Sequence, residues 1–111
     1  MKVYKGTRDA DGTAHVQVAE PDKPDRPLAP RTDLFKHCAT GLDWGYLGNG
    51  PAQCALAVLA DALGDDLRAV RVHRGFHFYI ITALPRHLAW QLTAAEVIAI
   101  VEEIEQNAFV E

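Results

Sequence analysis

The chain is short of everything that would staple it, embed it in lipid or draw it to nucleic acid. Only two cysteines, Cys38 and Cys54, occur among 111 residues. Two are too few for the disulfide framework of a small secreted scaffold, so free thiols and a cytoplasmic location are expected. No apolar run reaches the length of a membrane helix, and the first residues lack the charged, apolar and small-residue order of a secretory signal. Basic residues are outnumbered, 11 Lys and Arg against 15 Asp and Glu, for a net charge of −4. Such a balance gives no general attraction to a phosphate backbone; neither a membrane nor direct nucleic-acid binding is expected. What remains, 49% hydrophobic and 23% charged residues, is the composition of an ordinary globular protein, and the length suits one domain over 1–111 with one core.

Residues 1–18 read as a β-hairpin. "MKVYKGTR" and "HVQVA" flank the turn residues "DADGT". Alternation places Val16 and Val18 on one face, His15 and Gln17 on the other. Pro21, Pro24, Pro27 and Pro30 follow at intervals of three. In a polyproline II helix all four share one edge, which predicts a stiff extended arm over the surface. Residues 21–26 also have the P-x-x-P-x-R shape read by some peptide-binding domains. The segment "TDLFKHCATGLDWGYLGNG" has no period; its Leu34, Phe35, Leu42, Trp44 and Tyr46 are expected to cover the core, and loops of this length are often functional.

A helix is predicted from Pro51 to about Leu63, with Leu56, Leu59 and Leu63 as its inward stripe and Gly64 as its C-cap. Residues 66–84 fit either a hairpin about "RG" or a helix. Helical projection puts Val72, Ala83, Phe76, Ala69, Ile80, Leu84, Val70 and Ile81 on one half and Arg68, Arg71, Arg74 and Thr82 on the other, so the helix is preferred. Pro85 ends it. "HLAWQLT" reads as a strand, and "TAAE" as a capping box from Thr93 to Glu96. The last helix runs to about Asn107, with Val97, Ile100, Val101 and Ile104 inward. The expected fold is α+β, in the order ββ-loop-ααβα: a small antiparallel sheet, made of the hairpin and a late strand, packed with about three helices.

"WGYLGNGPAQ" raises the question of a phosphate loop. Such a loop needs converging backbone N–H groups with a lysine and a hydroxyl. Ala52 and Gln53 stand where those side chains belong, Pro51 removes an N–H, and no apolar strand leads into Gly45 as a dinucleotide fold requires. The glycines are better read as a tight turn, with Gly50 as N-cap and Pro51 at the first helical position. An anion at this helix end stays possible.

The stretch "DLFKHCATGLDWGYLGNGPAQCALAVLADALGD" resembles an uncharacterised domain family of bacterial, phage and plasmid genomes. The likeness rests on Pro27, Leu28, Pro30, Arg31, Asp33, Leu34, His37, Trp44 to Tyr46, Gly48, Gly50 to Gln53, Ala55 to Ala57 and Leu59 to Asp61. It continues weakly through Phe76, Leu84-Pro85, Trp90 and Leu92-Thr93. Asn49 and Cys54 depart from the family's usual serine and leucine. The resemblance implies no catalytic residue. It implies a genomic setting, mobile elements, whose small proteins are often accessory or anti-defence factors.

Other chemistry is sparse. His73 and His77, one helical turn apart, are the natural start of a metal site with His37, Cys38 and Cys54. Both histidines fall in the apolar arc, and Arg74 stands where an H-E-x-x-H motif needs its glutamate, so no metal and no cofactor is expected. Cys54, in the first turn of a helix, would have its thiol acidified by the dipole; a buried small hydrophobe is the simpler reading, and no catalytic residue is assigned. Charge, by contrast, is sorted: Arg68, Arg71 and Arg74 make a basic strip, while residues 87–111 hold five glutamates and no Lys or Arg. The leading expectation is a non-enzymatic protein-binding accessory protein, anti-CRISPR-like or another anti-defence inhibitor, that meets a host or defence-system protein through Arg68, Arg71, Arg74, Glu102, Glu103 and Glu105. The alternative is a small-ligand- or metal-binding protein, an enzyme included, using the loop His37, Trp44, Tyr46, Gly48, Asn49, Gly50 and Gln53. The sequence leaves oligomeric state open.

Overall fold

The computed structural model describes residues 1–107. Strands β1 (Val3–Arg8) and β2 (Ala14–Ala19) form the expected hairpin, and two further strands complete an antiparallel sheet of order β3-β2-β1-β4. β3 is only Arg26–Pro27, on the β2 edge; β4 is Trp90–Thr93, on the β1 edge. Tyr4 is opposite Val18 and Leu92, and Gly6 opposite Val16 and Trp90, so these side chains share the covered face. His15 and Gln17 point to solvent.

The proline arm is not one polyproline helix. Asp22 has φ 62°, a left-handed turn that breaks the run after Pro21, and Arg26–Pro27 joins the sheet edge. A proline is tolerated there because an edge strand has one side without ladder bonds.

Helix α1 (Asn49–Leu63) differs from expectation in its burial. Every residue from Gly50 to Ala60 is buried, with no solvent stripe. The alanines explain this. Ala52, Ala55, Ala57 and Ala60 let neighbours approach on all sides, and a helix apolar all round is a central one. Its N-cap is Gly48 rather than Gly50, and Pro51 is the third helical residue rather than the first. The proline still sits where N–H groups lack helical partners. Gly64 caps the far end at φ 63°.

Residues 66–81 are helical, as the segregated wheel predicts, but the helix stops at Ile81 and 82–84 form a turn before Pro85. α2 (Asp66–Phe76) runs into a π-helical turn, His77–Ile81. The wider turn shifts the phase of the helix. Ile81 is buried, but Ala83, placed inward by a regular wheel, is exposed, and so are Phe78 and Tyr79. Gly75 lets α3 (Ala94–Asn107) come close, because a Cβ there would sit 3.2 Å from Ile104 Cγ2. The capping box forms as predicted: Glu96 N–H donates to Thr93 Oγ1 at 3.0 Å, and Thr93 N–H to Glu96 Oε1 at 2.9 Å. One continuous core joins Tyr4, Val16, Val18 and Trp90 of the sheet to α1, α2 and α3.

Candidate functional site

The long irregular segment is a strap, residues 30–43, laid across α1 and α2, and Gln53 is its anchor. This glutamine has no exposed surface. Its Oε1 accepts from the N–H groups of His37 (2.7 Å) and Cys38 (3.2 Å). Its Nε2 donates to the carbonyls of Pro30 (2.6 Å) and Phe35 (3.1 Å). With both amide atoms so engaged, Gln53 is a structural hub and has no group left for a ligand. A second tie joins strap to α2. His37 Nε2 lies 2.8 Å from His73 Nε2, and His73 Nδ1 lies 2.6 Å from the Val70 carbonyl. A carbonyl only accepts, so His73 carries a proton on Nδ1; with both rings neutral, His37 Nε2 then donates to the free Nε2 of His73. Burial lowers the pKa of both, and the Arg74 charge adds to it. Phe35 packs on the His37 ring at 4.4 Å.

Beyond the strap, Asp43 organises the turn into α1. Arg8 donates to its Oδ1 at 2.6 Å, the Trp44 N–H at 2.9 Å, and Tyr46 to its Oδ2 at 3.0 Å. Burial opposes ionisation of Asp43, but these three donors outweigh it and hold the carboxyl below the usual range. Trp44 is core, with its indole N–H on the Pro85 carbonyl at 3.0 Å, the Arg8 guanidinium over its ring and Trp90 edge-on at 5.6 Å. Gly45 has φ 86°, and a Cβ would lie 2.5 Å from Arg86 Cα, so only glycine fits. Below this turn lies a small polar cleft of about 330 Å³ lined by Arg8, Thr13, Cys38, Thr40, Asp43 and Tyr46, among others. The Thr40 hydroxyl, 3.4 Å from Cys38 Sγ, lowers the pKa of that thiol.

The candidate loop residues therefore scatter by role. Trp44, Gly50 and Gln53 are buried, Tyr46 is tied to Asp43, Asn49 is exposed, and Gly48 caps α1. His37 and His73 meet, but among the described residues no three His, Cys, Asp or Glu side chains converge to hold a metal ion. Cys54 lies inside α1, where burial pushes its thiol up to about 12, against the dipole effect expected from its position. The two charged strips, separate in sequence, are neighbours in the fold. Arg68 and Glu105 are partly exposed and paired with each other through two bonds of 2.9 and 2.8 Å, while Arg71, Arg74, Glu102 and Glu103 are exposed and in no ion pair among the described residues.

No role is assigned from the sequence to three organising residues: Arg8, Asp43 and Asp61. Asp61 receives Tyr4 Oη at 2.7 Å, Arg26 at 2.9 Å and Lys2 at 3.1 Å, tying α1 to the sheet. Burial raises its pKa, but these donors prevail and hold it low. The one available signal was a polar residue inside an alanine-rich apolar run, which Gln53 and Asp61 both are.

Fold and site together define a small α+β protein whose central apolar helix is clasped by a hydrogen-bonded strap. The chain belongs to a family of unknown function, DUF6166, whose model matches residues 4–103. No curated protein and no solved structure matches it. Among the described residues no helix is long and apolar enough to cross a membrane.

Proposed function

We propose that this protein works by binding another protein, without catalysis, through the face shared by α2, the π turn and α3. The observation that carries this reading is a solvent-open cleft of about 640 Å³ lined by Gly75, Phe78, Tyr79, Ile80, Ile100 and Ile104. Phe78 and Tyr79 stand 58% and 62% exposed beside it, a large aromatic outlay for a surface with no partner. Arg74 borders the cleft from α2 and Glu103 from α3, with Arg71 and Glu102 also exposed. The occupant this suits is an amphipathic segment of a protein partner. Its apolar side chains enter the cleft, its acidic flank faces the arginines and its basic flank the glutamates; such pairing sets orientation and encounter rate. The resemblance to mobile-element proteins supports a host or defence-system protein as that partner, and an anti-CRISPR-like or other anti-defence inhibition as the activity.

The competing reading, a small ligand or metal held by the Trp44–Gln53 loop with His37, has the polar cleft of about 330 Å³ in its favour. Its charged groups, Arg8 and Asp43, already neutralise each other at 2.6 Å, and its central glutamine is spent on the strap. The test is reconstitution with a purified partner first captured from host lysate. Phe78→Ser and Arg71→Glu/Arg74→Glu should each weaken binding at least about tenfold, a loss typical of interface hot spots, while His37→Gln and Cys38→Ser bind normally. The reverse pattern overturns the proposal in favour of the loop.

A further inference from the structure

The strap is held by two kinds of contact, and only one of them titrates. The four Gln53 hydrogen bonds do not change between neutral and mildly acidic solution. The His37–His73 contact needs one imidazole to donate and the other to accept. If both rings are protonated, two N–H groups face each other across 2.8 Å. If one ring alone is protonated, the pair still has one N–H to donate and one lone pair to accept it, so the hydrogen bond survives, with its charge held in a poorly hydrated place beside Arg74. We propose that the His37–His73 pair is a pH-released clasp, which holds residues 30–43 on α1 and α2 while one ring can still accept from the other and parts when both rings take up protons, baring Gln53 and the flank of α1.

The surroundings favour release. From α2 and the π turn, Arg74 and His77 face the pair, and both act to keep it uncharged. Lys36 is the chain neighbour of His37, and α1 contributes neutral Gln53. Asp33, in the strap, and Asp66, at the start of α2, are both bound by Arg31. From α3, Glu105 is bound by Arg68, and Glu102 and Glu103 are exposed at the surface. No carboxylate contacts either ring among the described residues. His73 is 2% exposed, so its proton uptake requires opening rather than local solvation. Neutral imidazoles are therefore selected by the closed strap and protonated ones by the open strap, and the two states exchange protons with solvent on parting.

Amide hydrogen exchange of the whole chain, followed by NMR from about pH 7.5 to about pH 5.5 and corrected for the intrinsic rate, tests this. The reporters are the His37 and Cys38 amides, which donate to Gln53 when the strap is closed. Below about pH 6.5 their opening constant should rise roughly tenfold per pH unit for each proton taken up, while the α3 amides of Val97 and Val101 keep their protection. In His37→Gln/His73→Gln, which retains hydrogen-bonding amides without titration, that slope should vanish. A flat profile in the native protein, the same slope in the double variant, or parallel loss of protection in α3 overturns the clasp. Nitrogen–proton correlations of the imidazoles give a check that needs no variant: at neutral pH His37 must carry its proton on Nε2 and His73 on Nδ1, and any other tautomer pair overturns it.

Discussion

Replacing Gln53 by leucine removes one side chain and unties four backbone groups. The His37 and Cys38 N–H groups lose their acceptor, and the Pro30 and Phe35 carbonyls lose their donor. Leucine is close to glutamine in size, so no cavity opens, and the added apolar surface partly offsets the loss. A neutral hydrogen bond contributes about 0.5–1.5 kcal/mol net, and a buried polar group left without a partner costs about 1–3 kcal/mol. The strap can lift to hydrate some of its orphaned groups, which keeps the total below four full penalties, so a loss of about 2–4 kcal/mol is expected. For a domain of this size that lowers the melting temperature by roughly 10–15 °C. Urea unfolding of both proteins with amide exchange at His37 and Cys38 measures it. The midpoint should fall, and those amides should exchange far faster than the helix α3 amides. A change under about 0.5 kcal/mol, the range of an ordinary surface substitution, with both amides still protected, would refute the anchoring role.

Other consequences follow from the same contacts. Gly45→Ala must place a Cβ against the Arg86 backbone at a positive φ, so a melt should show at least about 2 kcal/mol of destabilisation, whereas Gly12→Ala, with nothing within 4 Å at φ 89°, should cost only the backbone strain of about 1 kcal/mol. Thr93→Ala breaks the capping box and should cost about 1 kcal/mol in a denaturant titration. Stability should fall on acidification in two stages. The lowered pKa values of His37, His73 and His77 mean that the unfolded chain takes up protons first, from about pH 6.5 downward; Asp43 and Asp61 add a second loss, beginning near pH 4 and complete only below their folded values. Unfolding free energies flat from neutral pH to about pH 4 would contradict the first stage. In the native protein iodoacetamide should modify Cys38 and spare Cys54, whose buried thiol becomes reactive only on unfolding; mass spectrometry reads the ratio.

Elements with a local cause were legible in the chain. The hairpin follows from alternation around "DADGT", the last helix from its capping box, and the helical reading of residues 66–84 from the separation of its arginines from its apolar side chains. Family membership was legible too, because the Trp44–Asp61 motif is contiguous. The properties that needed three dimensions are those in which one residue answers another far along the chain. No periodicity says that α1 is buried on every side; that depends on a sheet, two helices and a strap all converging on its alanines. Nor does any local pattern announce the π turn, or the early stop at Ile81 that leaves Ala83 outside.

Gln53, His37, Asp43 and Asp61 separate the two levels most clearly. Composition and spacing present Gln53 and His37 as polar groups beside a glycine-rich turn, free to meet a ligand, and Arg68 and Glu105 as unpaired surface charges. Hydrogen bonds and ion pairs depend on distances of about 3 Å, and those are set by how the elements pack, not by position in the chain. The sequence by itself determined the hairpin, the late strand and the three main helices, because those preferences act over a few neighbouring residues, but not β3 or the π turn. Only the tertiary structure decided which polar groups are consumed in holding the fold and which remain at the surface to meet something else.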